Sequence, residues 1–474
     1  MEGLIFFGTL TILTLTIFGL LFFIWKKHGN WTIVIGIAML YYWSLSGAWF
    51  IIYDLLSSNA GEKWGVHYYY YFEKLFRINL NVDYLYSIVA YGFFIITVEL
   101  VLFLFPIKAS FSEKNIESIS IYHPALIIIA LLALGGSVFF NYEKIIEAIQ
   151  NGESIYVFTR FHQGKFFTLH QLCNEIAVVT LLMGIAILLS GEDAKYLRGK
   201  KSVVLLVLYL LSFTIVMLYL VILGNRHDLI FGGLIGLYLL YFNLNKIIKP
   251  FRFIAFILMI AIPLLTTDTI RSLPWGKYFG QVISKSSPVI NTPPTTVTEN
   301  ISSVSLIQNI LFSNEMFAAH MSMYGAIHYK IPLTYGSSVV SLGASIVPRI
   351  FWGNRPPDIY PYYAKGVHYN DEQGFTIHHV TGWYLNYGWL GILLGGLLFG
   401  WLWHYSLVSI SKIQFGNSFK RIFFILLPCS IASFIPLFIR AGIEVYKPLF
   451  IEGILFPVIV IWFAHFIQKK IINK

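Results

Sequence analysis

The chain has 474 residues, of which 57% are apolar and only 12% charged, with a formal net charge of +10. A soluble domain carries roughly 25% charged residues, and no soluble fold of this length can hide so much apolar surface. A mean hydropathy of +0.70 and long uninterrupted apolar runs point instead to a bilayer.

A helix needs about 20 apolar residues to cross the hydrocarbon. Residues 3–25 form the first such run. Glu2 precedes it and Lys26-Lys27 follow it, the reverse of a signal peptide's polarity, so it reads as a retained helix. Further spans are expected at 31–53, 84–106, 123–141, 168–190, 203–223, 228–245, 253–267, 380–405, 422–439 and 446–468. The fold class expected is an all-α polytopic membrane protein of about eleven spans. Residues 1–267 hold the first eight spans, with an amphipathic segment near 142–167. Residues 268–379 form one large loop, and 380–474 hold the last three spans. Inside the loop, Ser286 to Thr298 is rich in Pro, Thr and Ser, a linker signal. Residues 301–328 have helical apolar spacing, and 337–351 are apolar but too short to cross, as in a segment that lies at the interface or re-enters.

Lys and Arg set the orientation. The segments after the odd-numbered spans hold 17 of the 33 basic residues against four acidic ones, Glu113, Glu117, Glu192 and Asp193. The opposite side holds 16 basic and 18 acidic residues once Glu99, in mid-span, is set aside. The N-terminus is therefore expected outside and the C-terminus in the cytoplasm. The basic balance follows from this topology, and no nucleic acid is needed to explain it.

Cys173 and Cys429 both lie inside apolar runs and form no disulfide framework or metal motif. No HExxH, Walker A, GxSxG or DxD pattern occurs, so protease, NTPase and metal-dependent nucleotide-sugar chemistry has no motif here. What stands out is arginine near outer span ends: Arg160, Arg226, Arg271, Arg349, Arg355 and Arg440. An arginine at the membrane edge needs a partner. Several on one side suit a lipid-linked phosphate or pyrophosphate, because the guanidinium presents a planar fork of donors. Separate ion pairs with Asp228, Glu444 or Glu452 are the structural alternative for any one of them. Within the spans, Glu99, His170, Asn174 and Glu175 make either a proton relay or interhelical hydrogen bonds. His378-His379 precede the ninth span, and a neutral histidine there suits a general base. Glu315 in the large loop is the rival base.

Three stretches resemble bacterial O-antigen and oligosaccharide repeat-unit polymerases, the Wzy-type enzymes. Gly224-Asn225-Arg226 resembles their Gly-x-Arg element. Thr334-Tyr335-Gly336, Val347-Pro348-Arg349-Ile350-Phe351-Trp352 and Arg355-Pro356 resemble their YG, PR, W and (K/R)P series. Tyr384-Leu385-Asn386-Tyr387-Gly388-Trp389-Leu390-Gly391 resembles their Y-x-N-(F/Y)-G-x-x-G element. The layout matches over the whole chain, and the motifs match from Gly224 to Gly391.

The resemblance implies a membrane glycosyltransferase of GT-C type in the bacterial cytoplasmic membrane, without metal or cofactor. It would move a growing glycan from one polyprenyl pyrophosphate to another lipid-linked repeat unit on the outer face. A flippase and a chain-length regulator would be its partners. Arg226, Arg271 and Arg440 would cradle pyrophosphate, Arg160 and Arg349 would complete the site or hold the second lipid, and His379 or Glu315 would take the proton. The rivals are an O-antigen ligase-like enzyme, a lipid-linked oligosaccharide flippase, and a membrane acyltransferase that would need His170.

Overall fold

The computed structural model describes residues 2–56, 76, 78–106, 121–151, 155, 166–190, 200–223, 227–242, 254–260, 262–263, 315–344, 352, 359–368, 377–411, 418–438 and 442–472. Among them the fold is all-α, with no strand. Seven helices come first: α1 Glu2–His28, α2 Trp31–Leu56, α3 Val82–Leu104, α4 His123–Asn151, α5 Phe167–Ser190, α6 Lys200–Ile222 and α7 His227–Phe242. Three short ones follow from the large loop: α8 Glu315–His328, α9 Ser337–Ala344 and α10 Ile359–Gly366. Then come α11 His379–Ser411, α12 Ser418–Phe438, a 3₁₀ turn Gly442–Val445, α13 Tyr446–Phe450, a π turn Ile451–Leu455 and α14 Phe456–Ile472.

Eight of these segments are long and apolar enough to cross a membrane: Gly3–His28, Ile33–Tyr53, Val82–Leu104, His123–Asn151, Leu169–Leu189, Lys201–Ile222, His379–Ser409 and Gly442–Ile471. Helices α7 and α12 fall on the seventh and tenth expected spans. Large apolar side chains stand exposed along α1 and α6, such as Leu4, Leu15, Val203 and Leu218. A bilayer would cover this surface, because leaving it in water would cost about 25 cal/mol per Å².

Local sequence explains the element ends. The α3 cap is Asn81, extended at φ −119°, ψ 173°, whose side chain accepts the Tyr84 N–H at 3.0 Å. Asp83 follows in the first turn, where the helix dipole favours an acid. At the other end of α3, Lys27 of α1 donates to the Phe103 carbonyl and lies over its ring, 4.9 Å from the centroid. Helix α4 runs ten residues past the expected limit of 141. Its extension carries a Lys144–Glu147 pair at 2.7 Å, so the first third of the expected amphipathic segment continues the fourth helix.

The ninth expected span, 380–405, is not one continuous helix. Tyr387 (φ −139°, ψ 22°) and Gly388 (φ 61°, ψ −139°) break α11. After the break the chain folds back, so that Gly391 packs on the Trp383 carbonyl and Gly395 on the Trp383 indole. In a straight helix, residues eight apart are about 12 Å apart along the axis; only a reversal brings them into contact. Beyond the fold-back, Gly396 and Gly400 seat α11 against Thr97 and Val101 of α3, the small-residue packing that lets membrane helices approach closely.

The freed backbone and side chains of the break find partners in the large loop. Thr334 N–H donates to Leu385 O at 2.7 Å, and the Thr334 and Ser338 hydroxyls donate to Asn386 Oδ1 at 3.1 and 2.8 Å. Asn386 Nδ2 donates to Gly382 O at 2.8 Å. Irregular backbone near a membrane persists only where protein satisfies it in this way. Gly336, at φ 88°, lies against the Tyr387 hydroxyl, with no room for a Cβ between them.

Candidate functional site

Among the described residues, a cluster of buried polar side chains gathers toward the end of α3 opposite the one where Lys27 meets Phe103. Helix α8 inserts there against α2, α3 and α11, bringing His320 beside Ser44, Tyr84 and Tyr91. Three histidines, His320, His378 and His379, are buried, each at 2% exposure or less.

Their partners fix their protonation. His320 Nδ1 donates to the Ser44 carbonyl at 2.8 Å, and Nε2 accepts from the Tyr84 hydroxyl at 3.0 Å. His378 Nδ1 accepts the Val380 N–H at 3.1 Å, so Nε2 carries the proton and donates to Ser44 Oγ at 2.9 Å. His379 Nδ1 donates to Gly442 O at 2.7 Å, and Nε2 accepts from Trp383 Nε1 at 3.0 Å and Tyr446 OH at 3.2 Å. A second proton on His378 or His379 would set a donor against a donor. Burial lowers the His320 pKa to about 4, with the Ser44 carbonyl opposing the shift. Burial first, then neighbouring His379 and His320, holds His378 well below the usual histidine range.

Hydroxyls complete the network. Tyr91 OH donates to the His320 carbonyl at 2.6 Å, Tyr363 OH to the Ser322 carbonyl at 2.8 Å, and His378 N–H to Ser322 Oγ at 3.0 Å. Ser322 and Thr381 hydroxyls meet at 2.8 Å. The network locks α2, α3, α8, α10 and α11 into one rigid cap. Each bond contributes about 0.5–1.5 kcal/mol when made, and a partner left alone in the interior costs more.

His379 thus stands in this cap with both ring nitrogens engaged, not at an open mouth. Glu315 is the first residue of α8, and its side chain lies outside the described residues. Arg160, Arg226, Arg271, Arg349, Arg355 and Arg440 all lie outside the described residues. Of the polar residues within spans, His170 and Asn174 join interhelical hydrogen bonds. Ser137 Oγ of α4 is 2.9 Å from His170 Nδ1, 2.5 Å from Asn174 Oδ1 and 3.1 Å from Tyr219 OH of α6. Glu175 lines a small cavity with Thr180 and Glu452, beside the π turn. Glu99 is fully buried, and neither carboxyl oxygen has a hydrogen-bond partner among the described residues.

Sequence reasoning missed Ser44, Tyr84, Tyr91 and His320, and it missed an exposed pair, Asp83 and His328, separated by 245 residues. The Asn81-x-Asp83 helix start was a readable cap signal. Nothing local marks the histidine that meets it. Among the described residues no three His, Cys, Asp or Glu side chains are grouped to hold a metal ion. No family model, no curated protein and no solved structure matches the chain.

Proposed function

We propose that this chain is an oligosaccharide repeat-unit polymerase with about eleven spans and a GT-C-like fold, its polar cap on the outer face of a bacterial cytoplasmic membrane. The observation that carries this reading is the interlock of two motif stretches far apart in sequence. The Thr334-Tyr335-Gly336 turn, with Tyr335 at φ 48° and Gly336 at φ 88°, hydrogen-bonds and packs onto the Asn386-Tyr387-Gly388 fold-back. These are the residues through which the sequence resembles that family. Three motif residues have physical tasks in the interlock: Asn386 ties, Gly388 turns and Gly391 admits the Trp383 carbonyl. Lys27, one of the basic set that follows the odd-numbered spans, meets Phe103 at the opposite end of α3, so the positive-inside rule would turn the cap outward.

The chemistry asks little of the protein beyond placement and charge. An acceptor sugar hydroxyl attacks the anomeric carbon of the donor glycan. The new C–O bond forms as the bond to pyrophosphate breaks, and the electron pair leaves on the pyrophosphate. Arg226, Arg271 and Arg440 would neutralise that charge, with Arg160 and Arg349 holding the second lipid. Fixing both lipids side by side contributes through proximity.

The test is glycan chain length in cells lacking the native gene, complemented with wild type or with Arg226→Ala, Arg271→Ala or Arg440→Ala at matched membrane levels. A wild-type ladder that collapses to single repeat units in the variants is expected. Loss of all surface glycan in the knockout would instead identify export. Loss of glycan only from the lipid A core would identify ligation.

A further inference from the structure

His328 lies at the edge of the cap, outside its buried network, and unlike the exposed His368 it is paired with a carboxylate. His328, the last residue of α8, places Nδ1 2.9 Å from Asp83 Oδ2 in the first turn of α3. The ring of Tyr324 stacks on it almost flat, with centroids 5.0 Å apart and planes at 11°. Tyr329 meets it edge-on at 5.3 Å and 82°. The imidazole is thereby held by a carboxylate, an aromatic face and an aromatic edge. Tyr324 is itself held, because its hydroxyl accepts from Asn81 Nδ2 at 3.2 Å.

The contrast with the other three cap histidines is the point. His320, His378 and His379 use both ring nitrogens inside the protein. In His328 the Nδ1–H donates to the Asp83 carboxylate, which leaves the Nε2 lone pair pointing away, with no hydrogen-bond partner among the described residues. Both side chains of the pair are 37% exposed, so Nε2 is reachable. An exposed ion pair contributes about 0–1 kcal/mol to stability, too little to account for an imidazole clamped on three sides. The chain leaves α8 beside it through a left-handed cap, Lys330 at φ 49°, with Lys330 N–H on Ile327 O at 3.0 Å and Ile331 N–H on Ala326 O at 3.1 Å, and His368, left-handed at φ 59° after α10, packs edge-on against Tyr329 at 5.8 Å.

We propose that His328 is the catalytic general base of the cap and that Asp83 is its positioning residue; this rests on the glycosyl-transfer reading given above. The acceptor hydroxyl would give its proton to His328 Nε2 as its oxygen bonds to the anomeric carbon and the pyrophosphate departs with the electron pair. Asp83 holds the tautomer that keeps Nε2 open, and it faces the imidazolium that forms. Water then takes the proton and resets the base. The juxtaposition of Asp83 and His328 replaces His379 in that role, because His379 Nε2 already accepts from Trp383 and Tyr446.

The experiment uses membrane vesicles from cells in which this chain is the sole copy, with their endogenous lipid-linked glycans as substrate and ladder growth on a gel as the readout. His328→Asn keeps a donor toward Asp83 and a flat group under Tyr324 but cannot take the proton. It should slow ladder growth about 100-fold or more. His328→Gly should fall as far and recover part of the rate with added imidazole, which a bracing role would not allow. Asp83→Asn should lower the rate about tenfold without raising the acceptor level needed for half-maximal rate. The double variant Asp83→Asn, His328→Gly should be no slower than His328→Gly alone. Wild-type rates in His328→Asn, or a loss in His328→Gly that imidazole leaves untouched at normal membrane levels, would overturn the assignment. A wild type that builds no ladder from its own lipid-linked glycans would overturn the glycosyl-transfer reading itself.

Discussion

Acid should loosen the cap before it affects the rest of the bundle, and His320 sets the size of the effect. In the folded protein its pKa is about 4, against about 6.5 in an unfolded chain. The unfolded state therefore binds more protons between these values, and stability must fall as pH falls. The contribution is fully present above about pH 6.5, declines through pH 5 and levels off below about pH 4. From pH 7 to pH 5 the linkage amounts to about 2 kcal/mol for this histidine alone. His378, shifted in the same direction, adds to it. The assay is thermal unfolding of purified protein in detergent between pH 7 and pH 5, beside His320→Asn. Asparagine can keep the donor to the Ser44 carbonyl, and it does not titrate. The variant should be less stable at pH 7 and should lose less on acidification than wild type. Equal losses in the two proteins would refute the reasoning, since the titrating group would then lie elsewhere.

The fold-back of α11 yields two further expectations. Gly391→Ala should prevent normal accumulation in the membrane, because the added Cβ meets the Trp383 carbonyl, which is backbone and cannot swing away. Gly8→Ala and Gly19→Ala, with nothing within 4 Å of the added atom, should accumulate as wild type does, read by quantitative blotting. Asn386→Ala strips the Ser338 hydroxyl of its acceptor, the Thr334 hydroxyl of one of its two and Gly382 of a donor. It should cost about 1–3 kcal/mol, seen as a lower unfolding midpoint.

Much of the helical layout was legible, because a run of apolar residues of bilayer length admits few other structures. The expected spans at 3–25, 31–53 and 84–106 lie on Glu2–His28, Trp31–Leu56 and Val82–Leu104. The end of α4 was not legible, because a helix can leave the apolar zone and continue on a local Lys144–Glu147 pair. Nor was the reversal at Tyr387–Gly388, where the apolar pattern runs on unbroken. What stops the helix there is a threonine about 50 residues upstream that claims Leu385 O. The roles of the histidines were hidden for the same reason. His379 and His328 look alike in a sequence. They differ only in what the fold sets against them: a glycine carbonyl and an indole for one, a lone carboxylate for the other.

The buried cap also imposes an order on biosynthesis. The hydroxyls of Tyr84 and Tyr91 find hydrogen-bond partners in α8, at the His320 ring and at the carbonyls of Ala319 and His320, more than 200 residues later in the chain. At about 5–20 residues per second, that is a wait of roughly 10 to 50 seconds after α3 has emerged. Throughout it, the same half of α3 must keep those phenols wet, or lend them to a temporary partner, while the following helices are threaded past. Until then the nascent bundle lacks the acceptors on α8 that these phenols use in the finished protein, and a ribosome halted before residue 320 would leave it without them.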